Sequence, residues 1–390
     1  MGTVRKVFVA CNDVGPTNAL IPVIQCLVSQ GVEVRIITKR DSPAQIHFAK
    51  AFPDKDLEPT LVLTQEQSWR RNTLSMMLRD ADRVLTGFDQ TSKTVLDAAN
   101  AIGKPAAVVL ETWPHLAVST HGAEKMMSLY GKASAIFVPD EDSRSCLLRA
   151  GFDDQHLIIT GNPAHDFYAG ALEYRAIARR AFRLERHVPE NAIVATWLMT
   201  QDLDDLNVHQ SDHPEWYGIS EVECVKEFLE AVKRFGFGTP PLWGLVRQKP
   251  SYGTKMISTL GSQAGTSVVF DNEPEGHGLP ALFASDIVFG VSTSMLDTAA
   301  LLGIPSIYYR PAYTGLEKMI TTTLGLTTEV TASNIGDSGG LQEMLKRLSE
   351  NPETLNRVDP PVLRKGAASR VADALMEMIA APRSVRAATG

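Results

Sequence analysis

The strongest constraint on the fold is a repeated pattern: a short apolar run, then a polar turn, then ten or more residues with helical spacing. The runs AAVVLE at 106–111 and AIFVPD at 135–140 are almost continuously apolar, which is typical of strands buried on both faces. Strands that alternate with helices form parallel βαβ units, and right-handed crossovers arrange these units in an open doubly wound sheet. The pattern therefore predicts an α/β fold.

The pattern stops in a charged segment after residue 170 and restarts at AIVATWLMT, residues 192–200. This break predicts two Rossmann-like domains, each a doubly wound parallel sheet, that face a cleft. The chain has 390 residues, of which 44% are hydrophobic, and this is enough for two cores of ordinary size. We predict an N-terminal domain over 1–165, a linker over 166–190, a C-terminal domain over 191–360, and a helix and tail over 361–390 that pack on either domain.

Composition excludes several classes of protein. The net charge of −7 argues against a broad nucleic-acid-binding surface, and no apolar run reaches the ~18 residues of a membrane helix. The amino end has no long apolar stretch of the signal-peptide kind. Four separated cysteines with no CxxC pair indicate reduced thiols and no zinc site. We expect a cytoplasmic protein with a small-molecule substrate, and the sequence leaves open whether it forms a homodimer.

Hydroxyl-bearing residues stand where an apolar run ends and a helical segment begins. Ser292, Thr293 and Ser294 can add donors to the free N–H groups of that helix start, which suits a phosphate or diphosphate. Asp297, one turn into the helix, could accept hydrogen bonds from the two hydroxyls of a ribose. Alternatively, Thr293 or Ser294 caps the helix and Asp297 interacts with its dipole.

The segment NDVGPTN, residues 12–18, lies between the first predicted strand and the first helix, so it should face the cleft. Gly15 permits a close approach of the backbone to a ligand. Asp13 is a candidate base for an acceptor hydroxyl, or alternatively a turn or capping residue. One glycine does not make a dinucleotide fingerprint, so we expect no NAD.

Further candidates follow other predicted strands. Glu111, His115 and His121 lie after the strand at 106–111, and a histidine near neutral pH suits base catalysis, although either histidine could equally lie at the surface or in packing. Arg247 and Lys249 follow the strand at 241–246, where they could neutralise a leaving diphosphate or simply be solvated.

One acidic segment, residues 202–216, carries four aspartates, two histidines and a glutamate. It lacks the ligand spacing of an EF-hand, and most such runs are solvated loops. We therefore predict no metal site.

Two resemblances extend these predictions. Residues 286–311, DIVFGVSTSMLDTAALLGIPSIYYRP, resemble the donor-binding segment of glycosyltransferases of the GT-B fold. The resemblance implies that Asp297 holds the ribose of a nucleotide sugar and that residues 292–294 face its diphosphate. Residues 271–286 resemble the loop that flanks the nucleotide base, with His277 and Gly278 leading into a helix. The implied donor substrate is a nucleotide sugar, UDP-linked, with no other cofactor.

The segments at 83–112 and 133–166, the second ending in ITGNPAHD, resemble non-hydrolysing UDP-N-acetylglucosamine 2-epimerases, which share the two-domain architecture. This resemblance implies acid–base roles for Asp89 and Glu111, with Glu124 as a third carboxylate. The sequence departs from those epimerases in three places. TWLMTQDLDDLN at 196–207 stands where they have a histidine- and arginine-rich loop, and residues 292–294 replace their phosphate-facing glycines. The charged segment expected after residue 311 is also absent.

These observations lead to three functional hypotheses. The first is a glycosyltransferase of the GT-B fold that transfers a sugar to a hydroxyl or amine acceptor. The second is an epimerase or hydrolase of sugar nucleotides that resembles the 2-epimerases. The third is a catalytically inactive GT-B-like domain that binds a carbohydrate or a protein.

Overall fold

The chain forms two compact units in a computed structural model, Met1–Gly170 with Leu363–Gly390, and Ala171–Val362. Each unit is described by itself below. The structure describes residues 5–53, 61–63, 70–89, 91–111, 120–199, 221–248, 260–261, 265–271, 278–290, 293–310, 328–331, 340–350 and 365–380.

A seven-stranded parallel sheet forms the centre of the first unit, with strand order β3-β2-β1-β4-β5-β6-β7. All four residues of β5 and of β6 are buried, as expected for strands covered on both faces. The predicted parallel α/β architecture is confirmed. The strands are β1 (Lys6–Ala10), β2 (Glu33–Lys39), β3 (Leu61–Leu63), β4 (Arg83–Thr86), β5 (Ala106–Val109), β6 (Ala135–Val138) and β7 (Leu157–Ile159).

Helices cover both faces of this sheet. On one face, α3 to α6 contribute Leu74, Val95 and Leu147 to a core that also contains Phe8. On the other face, α1 and α2 contribute Leu20 and Phe48. The helices are α1 (Val14–Ser29), α2 (Pro43–Ala51), α3 (Arg71–Met77), α4 (Ser92–Ala101), α5 (Thr120–Tyr130), α6 (Glu141–Arg149) and α7 (Ala164–Ala171).

The second unit repeats this arrangement with a six-stranded parallel sheet of order β10-β9-β8-β11-β12-β13. In both units the order reverses beside the first strand, so the switch points lie between β1 and β4 and between β8 and β11. The strands are β8 (Ile193–Leu198), β9 (Leu242–Arg247), β10 (Val268–Asp271), β11 (Ile287–Gly290), β12 (Ser306–Arg310) and β13 (Thr328–Thr331).

Two helical layers also cover the second sheet. Phe228 of α9 and Leu345 of α12 belong to the core on one face, and Phe182 of α8 packs with Ala281 of α10 on the other. The helices are α8 (Arg175–Glu185), α9 (Glu221–Phe235), α10 (Leu279–Ala284), α11 (Ser294–Leu301) and α12 (Gly340–Glu350).

The segment 166–190, expected as a linker, is largely helical and differs from that prediction. Its first residues complete α7, and α8 packs in the second unit. Arg183 of α8 is only 4% exposed and donates to Ala284 O at 2.8 Å and to Asp286 Oδ2 at 2.8 Å. Arg179 donates to Asp286 Oδ1 at 2.8 Å. These arginines satisfy carbonyls at the end of α10, so the charged segment is an integral part of the second unit.

The last described helix, α13 (Ala367–Ala380), returns to the first unit, where Val371 and Leu375 share a core cluster with Leu20 of α1. Its start is held by Asp166, whose carboxylate accepts from Gly366 N at 2.8 Å and from Ala368 N at 2.9 Å. The open choice between the two domains for this helix is thus resolved in favour of the first.

Replacing Asp166 with alanine is expected to lower the free energy of unfolding by about 1–2 kcal/mol, because the first N–H groups of α13 lose their acceptor. Hydrogen exchange of the α13 amides should accelerate more than that of β5. Glu377→Ala, at an exposed position of the same helix, is the matched control and should change neither measurement. Unchanged α13 protection in the Asp166 variant would contradict this capping role.

Two findings apply to the described residues alone. None of their helices combines the length and apolar character needed to cross a bilayer. No group of three or more histidine, cysteine, aspartate or glutamate side chains is arranged there to hold a metal ion. The acidic segment 202–216 lies outside the described residues.

Candidate active site

The switch point of the first unit brings the loops after β1 and β4 together. Asp13 is exposed and occupies the N-cap position of α1, but its side chain makes no capping hydrogen bond. Its backbone oxygen accepts from Thr17 Oγ1 at 2.6 Å, which fixes the first turn. Gly15 is exposed one residue into the helix. The side-chain capping alternative for Asp13 is therefore wrong, and its role as a base stays a prediction.

Asp89 ties the start of α4 to the end of β1. It is 4% exposed, and its Oδ2 accepts from Asn12 N at 3.0 Å. Its Oδ1 accepts from the backbone N of Thr91 and of Ser92, both at 2.8 Å, and from both of their hydroxyls. These contacts make Asp89 a structural acceptor across the switch point, and its predicted acid–base role remains untested.

Glu111 follows β5 and carries a buried carboxyl group. Its Oε2 is buried without a hydrogen-bond partner. The pKa of Glu111 is raised to about 8, mainly by burial and also by the nearby carboxylates of Asp89 and Asp13, against the opposing effect of backbone N–H groups of Glu111 and Phe88. A Cβ atom placed on Gly15 would lie 3.3 Å from Glu111 Oε1, so a larger residue at this position would crowd the carboxyl group.

Two residues that the sequence analysis did not single out hold this region in place. Asn162 Nδ2 donates to the backbone oxygen of Glu111 at 2.6 Å, while its Oδ1 accepts from Ala164 N at 3.0 Å. Tyr130 OH donates to the backbone oxygen of Asp89 at 3.1 Å. Burial and the surrounding carboxylates raise the pKa of Tyr130. The resemblance in ITGNPAHD was the sequence signal for Asn162, but it carried no residue-level role.

The structure says little about the other predicted site residues of the first unit, which are two histidines and a glutamate. His115 lies outside the described residues, and only the backbone of His121 is described, within α5. Glu124 is exposed on α5. The carboxylates with the largest effects on Glu111 are those of Asp89 and Asp13 rather than that of Glu124. The implied acid–base role of Glu124 stays a prediction.

At the switch point of the second unit, Thr293 is the N-cap of α11, and its Oγ1 accepts from Met295 N at 3.3 Å. The capping alternative is thus correct for Thr293. Asp297 is half-buried in the first turn of the same helix. Ser292 lies outside the described residues, as does the side chain of Ser294. The predicted phosphate and ribose contacts stay predictions.

Arg247 lies at the end of β9, where it is 5% exposed and forms an ion pair with Asp271 of β10. The alternative of a solvated strand end is therefore wrong for this residue. Gly278 has a φ of 76° before α10, and a Cβ there would lie 2.7 Å from Met295 Cε and 3.3 Å from Arg247 Nε. The positive φ favours glycine at this position, and a side chain there would also displace the end of Met295. Lys249 and His277 lie outside the described residues.

The stability of the first unit should depend on pH through Glu111. Its folded-state pKa of about 8 lies above the ordinary value of 4.5, so the folded state retains a proton that the unfolded state releases. The contribution of this proton to the free energy of unfolding is fully present below about pH 4.5. It is lost as pH rises towards 8, by about 1 kcal/mol per pH unit. Glu111→Gln, which stays neutral, should lack it. Urea unfolding between about pH 5 and pH 8 tests this, and parallel pH profiles of the two proteins would contradict it.

Comparison of the structure with solved structures gives matches along nearly the whole chain. A UDP-GlcNAc 2-epimerase from Neisseria meningitidis bound to UDP-GlcNAc is 17% identical, with a TM-score of 0.63, and the match covers 95% of this chain and 100% of the other. S. aureus MnaA in a co-structure with UDP is 13% identical, with a TM-score of 0.69 and 97% of each chain covered. Anabaena Alr3699/HepE in complex with UDP and glucose is 12% identical, with a TM-score of 0.60 and coverage of 96% and 99%.

The chain has the GT-B fold. The two Rossmann-like units of this fold account for the repeated strand order in the two sheets. No family model matches the sequence, and no curated protein matches it significantly. At these low identities the likeness to solved structures concerns the fold.

Proposed function

We propose that the chain is a nucleotide-sugar glycosyltransferase, with the donor bound by the second unit and the acceptor bound at the switch point of the first. Structures with the same fold hold UDP-GlcNAc, UDP, or UDP with glucose, and these ligands support a UDP-linked donor. In this proposal the second unit holds the donor, and the first unit holds the acceptor and its base.

The single observation that carries the proposal is the buried carboxyl of Glu111. Burial and two nearby carboxylates bring its pKa to about 8. A general base works best with a pKa near the operating pH, because a fraction of it is then ionised and that fraction still binds a proton well. In the proposed step, ionised Glu111 takes the proton of an acceptor O–H or N–H. The acceptor atom bonds to the anomeric carbon, and the bond from that carbon to the diphosphate oxygen breaks with its electron pair.

In the second unit, the start of α11 supports the donor side. The helix begins at the C-terminal edge of the sheet, where its first N–H groups and the positive end of its dipole favour a diphosphate. Asp297 is the proposed ribose acceptor. Arg247, which Asp271 orients, is proposed to stabilise the negative charge of the leaving group together with Lys249. This mechanism uses the chain's own groups and includes no metal.

Epimerisation is the second candidate, because Asp13, Asp89 and Glu111 form a group of carboxylates at one sheet edge. Removal and return of a carbon-bound proton, however, requires side chains that can each release and accept a proton. Asp89 already accepts hydrogen bonds from the backbone N atoms of Asn12, Thr91 and Ser92, and these contacts give it a structural role. Transfer needs one base, and Glu111 meets that need, so we place transfer first.

A two-stage experiment tests the proposal. In the first stage, thermal unfolding is followed with UDP-, GDP-, CDP- and TDP-sugars, and a UDP-sugar is expected to raise the melting temperature most. In the second, the protein is incubated in heavy water with UDP-N-acetylglucosamine, without acceptor and with a panel of sugar alcohols and amino sugars. Glycoside and UDP formed only with an acceptor support transfer. Deuterium at C2 of the sugar favours epimerisation, and the absence of any nucleotide effect favours an inactive binding protein.

A further inference from the structure

Helix α8 has an unusual distribution of side chains, because arginines lie on its buried face and large apolar residues on its exposed face. Arg175, Arg179 and Arg183, spaced four residues apart, donate to backbone oxygens at the C-terminal ends of α10 and α11. On the opposite side Ile177 is 70% exposed and Leu184 is 75% exposed. A surface helix ordinarily turns its apolar side towards the core. The exposed face of α8 therefore has the composition of a contact surface.

The exposed apolar residues of α8 follow the spacing of helices that pair along their length. Ile177, Ala181 and Leu184 are separated by four and three residues, as the d and a positions of a heptad are. Tyr174, which is 63% exposed, continues the row at the start of the helix. Residues with this spacing project from one side of a helix. These four residues, the α8 stripe, form a narrow surface that fits a second helix laid along it.

Two exposed charges of opposite sign flank the α8 stripe. Arg180 directly precedes Ala181 and Glu185 directly follows Leu184, so they occupy the g and e positions of the heptad. Glu185 Oε1 lies 3.7 Å from Arg186 Nε, a long contact that leaves the Glu185 side chain 70% exposed. In parallel helix pairs a g residue faces the e residue five positions later in the other helix, which here joins Arg180 to Glu185. Antiparallel pairing would instead bring Arg180 against Arg180.

We propose that the protein forms a two-fold symmetric dimer in which α8 pairs in parallel with α8 of a second copy. The α8 stripes of the two copies cover each other, and Arg180 of each copy pairs with Glu185 of the other. The same surface is thus complementary to itself, as a two-fold interface requires. The stripe has about three helical turns and less than the ~800 Å² per partner of a standard interface, so we expect a dissociation constant on the order of 10 µM. Unfolding in more dilute solution therefore reports on the single chain.

Sedimentation velocity from about 1 to 200 µM, a range that brackets this dissociation constant, tests the association. Leu184→Ser should weaken it at least about tenfold, because it removes an apolar contact from both copies. Since Leu184 is exposed, the melting temperature should stay the same. Ile46→Ser, which changes a residue of α2 that is 64% exposed, is the matched control and should leave association unaltered. A protein that stays monomeric over this range, or equal effects of the two substitutions, overturns the proposal.

Charge reversal tests the pairing of Arg180 with Glu185. Arg180→Glu and Glu185→Arg should each weaken association about fivefold or more, because each replaces two ion pairs with two pairs of like charge. A chain that carries both changes should regain the original dissociation constant. Glu377→Arg, exposed on α13, is the control for a change of net charge. Failure of the double variant to restore association contradicts the parallel arrangement.

Disulfide cross-linking tests the direction independently. Leu184→Cys should give a disulfide-linked dimer on mild oxidation, because parallel pairing brings the two Cα atoms within the ~7 Å that a disulfide spans. A Cys26→Ser background leaves the buried Cys11, Cys146 and Cys224 as the other thiols. In antiparallel pairing the two 184 positions lie about 15 Å apart along the helix. A mixture with Tyr174→Cys would then cross-link while Leu184→Cys alone would not, and that result overturns the proposal.

Discussion

The Glu111→Gln variant is expected to lose about 10²- to 10⁴-fold in kcat for sugar transfer, because an amide cannot take the acceptor proton. In the unmodified protein, kcat/KM should rise with pH and level off above about pH 8, since the base acts in its ionised form. The variant should lack this rise. Initial rates of UDP release, measured across pH with the best donor and acceptor pair, provide both results.

Glu377→Gln is the control for this experiment and should retain full activity, because Glu377 is exposed on α13 and has no proposed role in the site. A Glu111→Gln protein with normal kcat and an unaltered pH profile would remove Glu111 from the mechanism. If the variant instead lost activity together with UDP binding, a folding defect would be indicated, and the melting temperature distinguishes that case.

The second large effect concerns stability. Asp286→Ala is expected to lower the free energy of unfolding of the second unit by about 3 kcal/mol, because Arg183 is buried and loses its anionic partner. Asp286 Oδ2 also accepts from Val194 N at 2.9 Å, so the change also removes this acceptor from the start of β8. Urea unfolding followed by tryptophan fluorescence measures the loss.

Asp286→Asn separates the two contributions, since it keeps an acceptor for Val194 N but removes the charge beside Arg183. It should cost less than alanine and more than Glu185→Ala, which changes an exposed residue of α8. Equal stability of the Asp286→Ala protein and the unmodified chain would show that the carbonyls at the end of α10 suffice for Arg183.

The repeating pattern of apolar runs was sufficient to predict the α/β architecture, because continuous burial on both faces leaves few alternatives to a parallel sheet. β5 and β6 illustrate this, since every residue in them is buried. The segment 166–190 was harder to predict. Its arginines suggest a solvated linker by composition, and the distant partners Ala284 O and Asp286 explain why Arg183 is buried.

The sequence predicted that several candidate residues lie at strand ends, but it did not predict their contacts. Strand ends pointed to Asp13, Glu111 and Thr293, since ligands bind at the carboxyl edge of such sheets, whereas Asp89 came from the resemblance to the 2-epimerases. The hydrogen bonds of Asp89 with Asn12 and the support of Glu111 by Asn162 join residues 77 and 51 positions apart. No local pattern encodes such long-range pairs, so these contacts had to come from the structure.

The return of α13 to the first unit has a consequence for synthesis on the ribosome. All of the second unit emerges as one continuous stretch and can fold as soon as it is complete, whereas the first unit waits for residues 367–380. Until then the apolar surface of α1 around Leu20 has no cover from Val371. A nascent chain stalled near residue 362 would therefore be a natural target for chaperones, although most of its sequence had already been translated.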